Sequence, residues 1–131
     1  NEVTDGIYAI SPSPSVDSAA YKRLAKALGV EDVDPYSAQC HDHASLVCLA
    51  IAKAREATGT AIKDNIRKIS QGSGAKVDNA VDGLKLLGQG REINYEGASG
   101  PCDFTETGDI IDTKFRYEQA EKGKLKLLRI A

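Results

Sequence analysis

Apolar residues recur at Tyr21, Leu24, Ala25 and Leu28, the i, i+3, i+4, i+7 spacing that lines one side of a helix. This spacing predicts a first helix, with Ser15 or Asp17 as its cap and Gly29 closing it just past the last turn. Ahead of it lies a short β-prone run, residues 7–10, stopped by Pro12 and Pro14. A polar connection, "VEDVDP", leads into a second helix expected from about residue 35 to 57. Its second half, with Leu46, Val47, Cys48, Leu49 and Ile51, is apolar nearly all the way round. A surface helix shows a single apolar stripe, so this one wants cover on most sides, between a sheet and other helices or between subunits.

Thr60 is expected to cap a third helix carrying Ile62, Ile66 and Ile69 on one face and ending at "QGSG". A fourth, from about residue 78 to 87, presents Val81, Leu84 and Leu87 and stops at Gly88. After Gly90 the texture changes. The runs "REINY", "PCDF", "TKFRYEQ" and "KLKLLRI" read as short strands, the last two joined by a turn at Gly123. Phe115 and Tyr117 alternate with Arg116 and Glu118, which predicts one buried and one wet face. The pattern is therefore α/β: about four helices, short strands at both ends, and part of the sheet supplied from elsewhere.

A chain of 131 residues has room for one domain with a real core. Charged residues make up 27% and the net charge is −2, with positive charge scattered, so there is no electrostatic footprint for nucleic acid. The longest apolar run, "ASLVCLAIA", falls well short of the ~20 residues that cross a bilayer, so no membrane span is expected. The opening residues do not read as a signal peptide, and a chain starting at Asn1 with no methionine anywhere reads as processed, or as a fragment of a longer one. Of the three cysteines, Cys40 and Cys48 would sit ~12 Å apart on one helix. A disulfide needs Cα atoms within ~7 Å, which excludes that pair. An odd count leaves at least one free thiol, and the redox compartment stays open.

The densest chemistry lies in "YEGASGPCDFTETGD", residues 95–109. Asp103, Thr105, Thr107 and Gly108 match positions 1, 3, 5 and 6 of a calcium loop, but Lys114 stands where the bidentate Glu belongs. A β-turn closing a hairpin, with Gly108 at positive φ, is the better reading. "GASGP" lacks the spacing of a phosphate loop and no helix is expected to follow it. In "QCHDH", Cys40 and His43 share a helix face and could hold two corners of a metal site, against helix packing with a solvent-facing imidazole. Adjacent residues diverge by ~100° on a helix, so Cys40 and His41 cannot form a nucleophile–base pair. No catalytic constellation, cofactor site or metal site is expected.

The order of these pieces resembles the C-terminal third of type I periplasmic binding proteins, nearest the Leu/Ile/Val-binding-like solute receptors of ABC transporters. The resemblance runs through "DGIYAISP", "DPYSAQCHDHASLVCLAIAKA" and "GREINYEGASGPCDFTETGDI" to the closing strands. Its most specific part is Tyr95-Glu96-Gly97-Ala98-Ser99-Gly100-Pro101, then Asp103-Phe104 and Gly108-Asp109. The resemblance implies part of a fold with two Rossmann-like lobes that close on a ligand. Residues 1–14 would be a strand and hinge crossing through Ser11 and Pro12, 15–108 lobe-completing helices and a hairpin, and 109–131 a hinge return through Asp109 and Asp112 with terminal strands. Tyr36 matches an aromatic that often lines the ligand pocket, or is an exposed tyrosine packing on its own helix end; Gln39 is a weaker candidate on the same turn. Departures are His41-Asp42-His43, where the family shows Tyr-Asp-Ala, and Cys102, where it has an aliphatic residue.

The function so implied is capture of a branched-chain amino acid or similar small molecule by an exported, periplasmic module that passes it to a transporter permease. The alternative is a ligand-sensing regulatory domain of the same fold, in a receptor or operon regulator. The resemblance implies a non-enzyme without cofactors. Taken alone, the chain is expected to bind ligand weakly or not at all and to self-associate through surfaces that other chain would cover.

Overall fold

The computed structural model describes residues 3–131. They form two compact units: the residues up to Ser13 together with Asp112–Ala131, and the continuous stretch Pro14–Ile111.

The continuous unit holds four helices and two short parallel strands. Helix α1 (Ala19–Leu28) starts at Ser18, whose hydroxyl accepts the Tyr21 amide, and ends on Gly29 at φ 69°. The cap is thus Ser18 rather than Ser15 or Asp17, because the chain enters the helix only there; Ser15 instead donates its amide to the Ala98 carbonyl. Helix α2 (Pro35–Ala54) is capped by Asp34, with proline in the first turn where its missing N–H costs nothing. It ends at Arg55 in a left-handed conformation, short of the expected residue 57. Helix α3 (Gly59–Ser70) is capped by Thr58, not Thr60: the Thr58 hydroxyl accepts the Ala61 amide.

Strand β2 (Ala75–Val77), helix α4 (Ala80–Gly88) and strand β3 (Ile93–Tyr95) make a β–α–β unit, with β2 and β3 parallel. Three residues are too few for an apolar alternation, and β2 was absent from the sequence expectation. Conversely, "PCDF" is no strand. It supplies only isolated bridges, Glu96 to Pro101 and Phe104 to Ile110.

The main core gathers Leu46 and Leu49 of α2, Ile69 of α3, Val77, Ile93, Tyr95 and Cys102. Helix α4 presses Gly83, Leu86 and Leu87 toward it, while Val81 and Leu84 face out, so of the expected stripe only Leu87 packs on the core. Gly83 permits that contact, since a Cβ there would lie 2.6 Å from a Leu49 methyl. A second cluster joins Ala20, Tyr21, Val33, Ala38 and Ala98. It is tied by the Tyr21 hydroxyl, which donates to Asp32 (2.6 Å) and accepts the Val33 amide (2.8 Å). The α2 helix buries Leu46, Leu49 and Ala50 yet leaves Cys40, Ala44, Val47 and Cys48 exposed. An apolar flank thus remains without cover.

The other unit is a three-stranded antiparallel sheet, β1 (Tyr8–Pro12), β4 (Phe115–Glu121) and β5 (Lys124–Ile130), in the order β1-β4-β5. Strand β1 runs on to Pro12, a proline tolerated because β1 is an outer strand. The β4–β5 turn places Lys122 and Gly123 at positive φ, as a tight hairpin needs. The expected alternation on β4 is not seen, and Tyr117 is half-buried like its charged neighbours. Phe115 is exposed, whereas the side chains of Arg116 and Glu118 are each 12% exposed and pair at 3.5 Å. Opposite charges one alternation apart neutralise each other, which lets that face be the covered one.

Candidate functional site

Parallel strands expose the ends of their backbone ladders at the carboxyl side, where open α/β folds bind ligands. In this chain the carboxyl ends of β2 and β3 border a cleft of about 330 Å³. Strand β2 contributes Lys76, Val77 and Asp78; the loop after β3 contributes Glu96, Gly97, Gly100 and Pro101. The run into α1 adds Ser15 and Ser18.

The charges on this wall are paired. Lys76 bridges to Glu96 at 2.5 Å, and Arg23 of α1 reaches the Asp78 carboxylate at 2.7 Å. Burial pushes the Asp78 carboxyl up, but hydrogen bonds from Arg23 and Asn79, with the Arg23 charge, outweigh it and hold the group below its ordinary value. Asp78 is therefore ionised across the physiological range. Hydroxyls, ion-paired carboxylates and one ammonium group suit the wall to a small polar molecule.

Behind the wall stands Asp42, which is 1% exposed. Its carboxylate accepts the Tyr95 hydroxyl (2.9 Å), the Ala98 amide (3.0 Å), the Ser99 amide (2.6 Å) and the Ser99 hydroxyl (2.5 Å). His41 Nδ1 lies 3.0 Å from the same group. Burial, only partly offset by a hydrogen bond from Ser45, acts with the Asp42 charge to push the Tyr95 phenol far above its ordinary value, so it stays a donor. Burial, aided by the Asp42 charge, pushes the Cys102 thiol up to about 12, leaving it neutral and unreactive.

The stretch of residues 95–109 turns two corners. Gly97 donates to the Gly100 carbonyl (3.0 Å) in the first, and Gly108, at φ 99°, donates to the Thr105 carbonyl (3.1 Å) in the second. Arg67 binds the carbonyls of Thr105 and Glu106, and the oxygens a calcium loop would turn inward serve the turn instead: the Thr105 and Thr107 hydroxyls bond each other (2.9 Å) and the Asp109 carbonyl accepts the Thr105 amide (2.7 Å).

Tyr36 sits exposed in the first turn of α2 and Gln39 half-buried in the next; neither lines the cleft. Cys40 and His43 are exposed, and His41 is drawn to Asp42. Ser11 and Pro12 close β1, Asp109 accepts the Thr107 hydroxyl (2.8 Å), and Asp112 adopts φ 58°. Ser15, Ser18, Lys76, Asp78 and Glu96 were not anticipated. Recognising Ala75–Val77 as a strand would have pointed to Asp78 by the strand-end rule.

Over 94 residues, 70% of this chain, the sequence is 32% identical to the chemotactic signal transduction system substrate-binding protein BasB of Halobacterium salinarum. The matched stretch covers 23% of that protein's length. No protein-family model and no solved structure matches the chain. Among the described residues, no helix is long and apolar enough to cross a membrane.

Proposed function

We propose that this chain forms the C-terminal portion of an exported, two-lobed substrate-binding protein that holds a branched-chain amino acid or similar small molecule. The cleft at the carboxyl ends of β2 and β3, in a chain similar to a substrate-binding protein, carries the reading. The chain passes between its compact units at two places, Ser13/Pro14 and Ile111/Asp112, next to the proposed hinge residues Ser11, Pro12, Asp109 and Asp112. In such a protein ligand contacts favour the closed arrangement of the lobes over the open one, and binding rather than chemistry is the output. Tyr36 and Gln39 are proposed as further contacts made on closure.

The bound form would be presented either to a transporter permease or to a signalling receptor. The second is favoured by the role in the name of the similar archaeal protein, chemotactic signal transduction.

The test is titration of the isotope-labelled chain with leucine, isoleucine and valine, followed by amide NMR. With only part of the ligand's contacts available, a Kd of about 1 mM or weaker is expected, near 4 kcal/mol of binding. The shifts should centre on Ser15, Ser18, Asp78 and Gly97. Saturating amino acid that leaves those amides unmoved would overturn the reading.

A further inference from the structure

We propose that Asp42 is the positioning residue that sets the shape of the cleft wall. The inference rests on the reading of that cleft as a ligand site.

The buried carboxylate joins three parts of the wall. Through the Ala98 and Ser99 amides it fixes the centre of the turn whose ends, Gly97 and Gly100, line the cleft. Through Ala98 it reaches further, because the Ala98 carbonyl accepts the amide of cleft-lining Ser15 at 3.0 Å. Through the Tyr95 hydroxyl it fixes the end of β3, from which Glu96 enters the cleft.

The fit is close. A Cβ on Gly97 would fall 2.1 Å from an Asp42 oxygen, so the turn lies directly against the carboxylate. Two oxygens accepting four donors leave little acceptor capacity unspent. Charge-assisted bonds are the strong kind, and backbone amides are the donors least able to find another partner. Asp42 touches no part of the cleft itself; it acts through residues 95–99 and Ser15.

The decisive variant is Asp42→Asn, which preserves shape but puts an NH₂ where one acceptor oxygen was. In the ligand-free protein, hydrogen exchange of the Ala98 and Ser99 amides should accelerate at least tenfold. The Ser15, Gly97 and Gly100 resonances should shift, with exchange at Leu49 and Ile69 unchanged. A merely structural role would instead raise exchange across the core and leave the cleft resonances in place, which would overturn the proposal.

Should Asp42→Asn fail to fold, Tyr95→Phe and Ser99→Ala each remove one hydroxyl donor and leave the carboxylate. Shifts at Ser15 and Gly100 in both would uphold the proposal, and their absence in both would end it. Adding leucine separates the two claims. A wall that loosens in Asp42→Asn while wild type ignores every amino acid upholds the role of Asp42 and overturns the binding reading. A wall unmoved by the substitution while wild type binds does the reverse.

Discussion

Gly97→Ala is expected to cost about 3–5 kcal/mol of stability, through groups that have nowhere to go. The added methyl would lie 2.1–2.3 Å from the Oδ1, Cγ and Oδ2 atoms of Asp42. A long surface side chain could swing aside, but Asp42 is short, buried and held by four donors. If it rotates away, the Tyr95 hydroxyl and two backbone amides lose their acceptor, and a buried carboxylate loses its partners. If the loop moves instead, the Gly97–Gly100 turn opens. All four helices belong to the continuous unit, so urea unfolding followed by circular dichroism at 222 nm reads its stability directly. A loss below about 1 kcal/mol would mean that the carboxylate is less tightly held than its hydrogen bonds indicate.

Leu49→Ala should cost a similar ~3–5 kcal/mol by a different route, lost transfer energy plus an unfilled cavity. Leu49 is fully buried in the main core, and the backbone of α4 at Gly83 lies against its methyl groups. Backbone cannot rotate into a hole as a side chain can, and Gly83 has no side chain to offer. The same urea titration measures the effect; a midpoint within error of wild type would show that α4 settles into the space.

Local signals carried most of the fold. Asp34 followed by Pro35, and Gly29 after the Leu24–Leu28 periodicity, mark helix ends by mechanisms that act within a turn. The mixed α/β class, the four helices and the closing hairpin followed from such signals. Thr58 stands two residues before Thr60, the expected cap, and composition does not tell which of the two hydroxyls faces the free amides. The departures at Val81 and Leu84 on α4 and at Phe115 on β4 have a common cause: burial is decided by what packs against an element. Gly83 is invisible to hydrophobic counting, yet it is the point where α4 approaches the core. Arg116 and Glu118 are largely covered and lie paired as opposite charges, which apolar counting does not anticipate.

The site was less legible. Asp42 stood in view inside "QCHDH", but its donors lie on residues 95–99, and no spacing rule links a helix to a loop so far along the chain. Cys40 and His43 carry the conspicuous chemistry of that stretch, yet both are exposed. The odd composition of residues 95–109 was a true signal of something unusual. Two sharp turns and a close approach to a carboxylate need those glycines.

The pairing of Tyr8 with Gln119 has a consequence for how the molecule assembles. Strands β4 and β5 are neighbours in sequence and can zip into a hairpin within about 1–10 μs. Strand β1 precedes both in the chain, and its partner among the described strands is Phe115–Glu121, so meeting it means closing a loop made of the whole stretch Pro14–Ile111. That entropic toll shrinks once the intervening unit has collapsed and brought its ends within reach. The expected order is thus helices and β4–β5 hairpin first, docking of β1 last. In the interval Pro12, with no N–H to offer, blunts a strand that would otherwise invite pairing with a neighbouring nascent chain.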